Sequence, residues 1–122
     1  MLSYLFYKTL HLTGVFLTLM SLGALAFYLL NGGEGRPGKK RFLAISHGVG
    51  LLLVILGGFG MIARLNIEWP WPGWIFAKLA IWLALGAMAG ILPRRARQAG
   101  ALWWVCVALG VAAAYLALYK PF

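Results

Sequence analysis

Apolar residues run almost unbroken along this chain in four long blocks, and charged residues gather between the blocks. A helix that crosses a bilayer needs about 20 mainly apolar residues. Four stretches meet that length: Ser3–Leu30, Arg41–Arg64, Trp74–Pro93 and Ala101–Tyr119. The pattern predicts an all-α fold, an integral membrane four-helix bundle in which residues 1–122 form one domain. Lys8 and His11 interrupt the first block early, and the block is longer than the apolar core of a secretory signal. It therefore reads as a span and not as a cleaved leader.

Inside the blocks the small and polar positions follow a helical repeat. Tyr4, Lys8, His11, Gly14, Thr18 and Ser21 recur every three or four residues, which places them on one face. That face is expected to point into the bundle, with Leu, Phe and Val turned to lipid. In the second block His47, Gly50, Val54, Gly57 or Gly58, and Met61 share a face in the same way. Gly86 and Gly90 form a GxxxG pattern in the third. Such glycines let two helix backbones approach closely, so Gly57, Gly58, Gly86 and Gly90 are expected to face other helices. A cleft for a flat cofactor is the other use of such a face. Asn31-Gly32-Gly33 is expected to end the first helix and Pro93 the third, with a mobile loop over Gly33–Lys40. Trp69, Trp71 and Trp74, set among prolines, are expected at the outer headgroup level.

Composition adds weight to the membrane reading. The chain is 63% hydrophobic, more than a soluble domain of this size can hide. The net charge of +9 would suggest nucleic acid in a soluble protein. Here the basic residues sit elsewhere for a reason: Arg36, Lys39, Lys40 and Arg41 flank the first loop, and Arg94, Arg95 and Arg97 the third. With four spans these loops share a side, and basic residues at span ends mark the cytoplasmic face. The expectation is a bacterial inner-membrane protein with both termini outside, in contact with the lipid bilayer and with no nucleic-acid partner. The same basic residues suit anionic headgroups.

Several function classes drop out. No span contains Asp or Glu, whereas small drug/proton exporters need an intramembrane carboxylate. Met20, Met61, Met88 and Cys106 are scattered over four blocks, a poor match to the clustered soft ligands of copper transport. Cys106 has no partner cysteine and reads as a small buried apolar residue.

Ionisable residues inside a span are costly and point to function. There are three: His11, His47 and Lys78. At the helical rise, His11 lies about 12 Å from the outer end of its span and Lys78 about 6 Å, whereas His47 lies about 9 Å from the opposite end. Each has a structural explanation. Lys78 can snorkel to the interface, and both histidines can hydrogen-bond between helices. The functional reading is ligation of metal or haem iron, for which imidazole is the usual protein donor. Lys78 coordinates only as the free amine, and Ile75, Ile81 and Trp82 would give it an apolar wall.

Two segments carry a family resemblance. Lys8-Thr9-Leu10-His11 resembles the KxxH opening of the HemJ-type protoporphyrinogen oxidases, small four-helix membrane proteins that bind b-type haem. Trp74-Ile75-Phe76-Ala77-Lys78-Leu79 resembles the W-x-x-x-K-L segment that opens their third helix. Both segments are also similar to the SirB-type membrane proteins. The oxidase resemblance implies haem b as cofactor with His11 and Lys78 as its ligands, and redox or porphyrin-related chemistry. Ser46-His47-Gly48 departs from the oxidase pattern, so enzymatic activity is left open. His47 is the rival second ligand, because bis-imidazole ligation is chemically easier. The alternative function is a non-catalytic accessory subunit, with other membrane subunits or further copies of itself as partners.

The charge pattern yields a topology test. Single cysteines placed at Gly35 and Gln98 are expected to resist a membrane-impermeant thiol reagent in intact cells and to react once the membrane is opened. Ready labelling of both in intact cells would reverse the orientation.

Overall fold

A computed structural model describes residues 3–32 and 37–122, with the backbone alone for residues 37–39. It contains four long helices: α1 (Tyr4–Leu30), α2 (Pro37–Arg64), α3 (Gly73–Arg94) and α4 (Ala99–Tyr119). One turn of 3-10 helix, Ala96–Gln98, joins the last two. Each of the four is long and apolar enough to cross a bilayer. Helices suit this sequence because every backbone group is then bonded within its own segment, as hydrocarbon requires.

The helix ends follow local chemistry. Ser3 caps α1 by accepting the Phe6 N–H on its hydroxyl at 3.1 Å. Past Asn31, Gly32 turns left-handed at φ 89° and stops the helix, as expected. Helix α2 begins at Pro37, four residues ahead of the expected start. Proline is well suited to a first helical position, where its missing N–H would have had no partner. The expected loop is thereby shortened, and residues 33–36 of it lie outside the described residues. Pro93 does not end α3; it sits in the last turn and the helix runs on to Arg94. So close to the end, a proline removes a single ladder bond, and the Arg95 N–H still reaches the Ile91 carbonyl at 3.0 Å.

In the bundle, α1 and α3 each touch the three other helices, while α2 and α4 stand at opposite corners. The buried centre is Leu22, Leu25 and Ala26 of α1, Met88 and Leu92 of α3, and Ala99 and Cys106 of α4. Cys106 is thus a buried free thiol among apolar neighbours. Gly14, Thr18 and Ser21 are buried as the stripe predicts, while Lys8 at its outer end is exposed, with its ammonium 5.8 Å from the Tyr4 ring centre. Phe16, Met20 and Phe27 on the opposite face are exposed to what would be lipid.

The tightest joint is between α1 and α2. A Cβ added to Gly57 would lie 2.5 Å from the His11 backbone nitrogen, and one added to Gly14 would lie 2.5 Å from the Val54 nitrogen. One added to Gly50 would lie 2.7 Å from the Thr18 nitrogen. These obstacles are backbone, which cannot swing aside. Gly60 faces the ring of Tyr7 in the same joint. The GxxxG pair of α3 behaves differently. Gly86 meets only the Leu51 side chain, at 3.4 Å, and Gly90 has nothing within 4 Å. The expectation that Gly90 faces another helix is therefore corrected: it is exposed. Sequence spacing put it on the face of Gly86, but at its level that face meets no other helix.

Gly57→Ala and Gly50→Ala are expected to lower thermal stability in mild detergent by about 1–3 kcal/mol, the usual cost of overpacking. Gly90→Ala is expected to leave the melting temperature unchanged or raise it slightly. The α1–α2 joint is misassigned if Gly57→Ala melts like the wild type while Gly90→Ala does not.

Candidate functional site

The polar side chains of the span interiors work mainly on backbone carbonyls of neighbouring helices. On α1, His11 Nδ1–H donates to the Val54 carbonyl of α2 at 2.9 Å. Gly58, one turn on, faces the same ring; a Cβ there would lie in ordinary contact with it, 3.6 Å from His11 Nδ1. On α2, His47 Nε2–H donates to the Leu85 carbonyl of α3 at 3.1 Å. On α3, Trp82 Nε1–H returns a bond to the Leu51 carbonyl of α2 at 3.0 Å. The last two are reciprocal. Helices α2 and α3 run antiparallel, so His47 pairs with the Leu85 level and Leu51 with the Trp82 level.

Trp82 was legible only as part of an apolar wall. The available signal was its depth: tryptophans of a membrane helix concentrate at the interface, and Trp82 lies two turns further in than Trp74. Mid-span, its indole N–H needs a partner.

His11 and Lys78 lie at the same end of the bundle. Helices α1 and α3 run in the same direction, His11 lies seven residues into α1 and Lys78 five residues into α3, and the two are within electrostatic range of each other. Lys78 is half-buried. It also senses Lys120, which follows α4 in a left-handed conformation at φ 47°. The Lys120 ammonium stands 5.5 Å from the Trp74 ring centre. The Gly73 N–H donates to the Phe122 carbonyl at 3.1 Å, so the segment after α4 straps across the start of α3. His47 is not part of this group. It is buried at 5% exposure, and its Leu85 bond lies well toward the other end of the bundle.

Above the His11–Lys78 level lies an aromatic cluster. Trp69, Trp71 and Phe76 pack with ring centres 5.3–5.9 Å apart, and Phe59 joins them at 5.7 Å from Trp71. Trp69 is 71% exposed, the arrangement of an interfacial belt. Glu68 beside it is exposed and so does not serve as a buried counter-charge.

The donor set limits what the site can hold. Among the described residues no three of His, Cys, Asp and Glu come together. A bare structural or catalytic metal ion ordinarily needs three or four protein ligands. A haem iron needs one or two, since the porphyrin supplies four. With Nδ1–H committed to Val54, His11 keeps the lone pair of Nε2 available in a fixed tautomer. That is the outer bonding usual for a metal-ligating histidine. The residues present therefore fit axial ligation better than a metal-ion cage.

Across residues 4–121 the chain matches the family described as "Invasion gene expression up-regulator, SirB". No curated protein and no solved structure matches it. The match begins in the first turn of α1 and runs past the end of α4, taking in both segments that carry the resemblance noted in the sequence; the chain belongs to the SirB family.

Proposed function

We propose that this SirB-family membrane protein holds a b-type haem in the outer half of its bundle, where His11 and Lys78 would be the residues that hold it. The observation that carries the reading is the His11 ring, clamped through Nδ1–H to the Val54 carbonyl at 2.9 Å and set within electrostatic range of Lys78. The clamp fixes the ring plane and leaves one nitrogen for iron. Lys78 would bind as the free amine, and the parallel run of α1 and α3 puts it at the same end of the bundle as His11. Lys120, close to both Lys78 and Trp74, adds positive charge suited to carboxylate groups on the ligand. Bound haem supplies one-electron redox chemistry. The wording of the family description concerns gene expression; in this reading that effect is indirect, passing from a membrane-borne cofactor to partners elsewhere.

A second reading has its own observation. Helix α4 buries only Ala99, Cys106 and Leu116, while Trp104, Val111 and Leu118 on it are well exposed. Such a face suits an accessory subunit that packs against other membrane chains.

Visible spectra of the protein extracted in mild detergent, oxidised and reduced, test both. The wild type is expected to show a Soret band, His11→Ala to lose it, and Lys78→Met to retain haem with a changed spectrum. His47→Ala is expected to keep the wild-type spectrum while weakening the α2–α3 seam by roughly 0.6–2 kcal/mol, the range for a hydrogen bond between membrane helices. A native protein without a Soret band, or three variants with unchanged spectra, would remove the haem site and leave the subunit reading.

A further inference from the structure

At the end of the bundle away from His11, helices α1, α2 and α3 part and leave a cleft. Leu22 and Leu25 line it from α1, and Ala89 from α3. Leu43, Ala44 and His47 line it from α2, with Lys40 at the end where α2 begins. Lys40 and His47 are seven residues apart, so the cleft extends for about 10 Å along α2. It exists because Ala44 and Ala89 are small. Its volume is only about 40 Å³, drawn out along that length and partly open, so it is a shallow trough and well short of an enclosed ligand pocket.

The chemistry of the lining is uneven in a telling way. The walls are apolar. His47 has given its Nε2–H to the Leu85 carbonyl. Among the described residues Lys40 is the only charged side chain in the lining, and it is exposed, two residues ahead of the apolar run that begins at Phe42. A cation at headgroup depth therefore stands at the head of an apolar trough. Arg41 beside it, and Arg94 and Arg95 at the end of α3, are exposed and basic. No acidic residue occupies α2 or α3. A second helix, 10–12 Å across, is far too large for a space of about 40 Å³. A single hydrocarbon chain is not.

We propose that the cleft binds one acyl chain of an anionic phospholipid whose phosphate pairs with Lys40. Basic pockets between membrane helices recognise anionic headgroups in this way. The site is independent of His11 and Lys78, and its test does not depend on haem.

Native mass spectrometry of the full chain, released from nanodiscs of mixed phosphatidylglycerol and phosphatidylcholine, reads the outcome. The wild type is expected to retain one phosphatidylglycerol per chain in preference to phosphatidylcholine. Lys40→Gln is expected to lower that retention about fivefold, the effect of one basic residue near an anionic surface. Ala44→Phe keeps the charge but fills the trough, and is expected to lower retention as much or more. Arg97→Gln, outside the cleft lining, is expected to change it little. Helicity by circular dichroism confirms that each variant is folded. Equal retention of the two lipids would overturn the proposal. So would wild-type retention by both Lys40→Gln and Ala44→Phe, or a loss in Arg97→Gln equal to that in Lys40→Gln, which would mean diffuse attraction to the basic end.

Discussion

Between α1 and α2 the two backbones touch. Gly57 lies against the His11 backbone and Gly14 against that of Val54, at distances that admit no side chain. Lipid is as apolar as leucine, so burying leucine supplies no force between membrane helices. Association depends instead on contact area and on polar bonds, and both improve when backbones come close. The same approach brings the His11 imidazole to the Val54 carbonyl. Packing and site geometry therefore rest on one contact. Thr18 shows what that contact costs. It is 2% exposed, and its hydroxyl has no hydrogen-bond partner. Thr9 and Thr13, outside the joint, bond the carbonyls four residues back. A Cα hydrogen of Gly50 points toward the Thr18 oxygen, a weaker substitute of the kind common between close helices.

The α2–α3 seam is built on another plan. Its helices are held by two antiparallel side-chain donors, His47 to Leu85 and Trp82 to Leu51. A carbonyl already in a helical ladder has a second lone pair, which these donors use. The fold thus contains one joint made by glycines and one made by aromatic N–H groups. The Lys40–His47 cleft lies beside the second, and His47 belongs to both.

The two ends of the bundle differ accordingly. The His11 end carries the aromatic cluster, Lys78 and the strap from Lys120 to Phe122. The other end carries the arginines and Lys40. An intramembrane cofactor and a headgroup ligand would be kept apart by most of a helix length, each with residues suited to it.

Four spans, their limits to within a few residues, and the inward stripe of α1 were legible in the sequence because hydrocarbon imposes length and apolarity on each segment separately. The three ionisable intramembrane residues were legible for the same reason, since their cost does not depend on their neighbours. What the residues bond to was decided only by tertiary structure. That Lys78 comes within electrostatic range of His11 follows from the parallel run of α1 and α3. Gly57 became a backbone contact while Gly90 met nothing, because spacing along one helix does not say where the next helix lies. Trp82 and His47 found carbonyl partners 31 and 38 residues away, and only the antiparallel register of two helices brings such positions together.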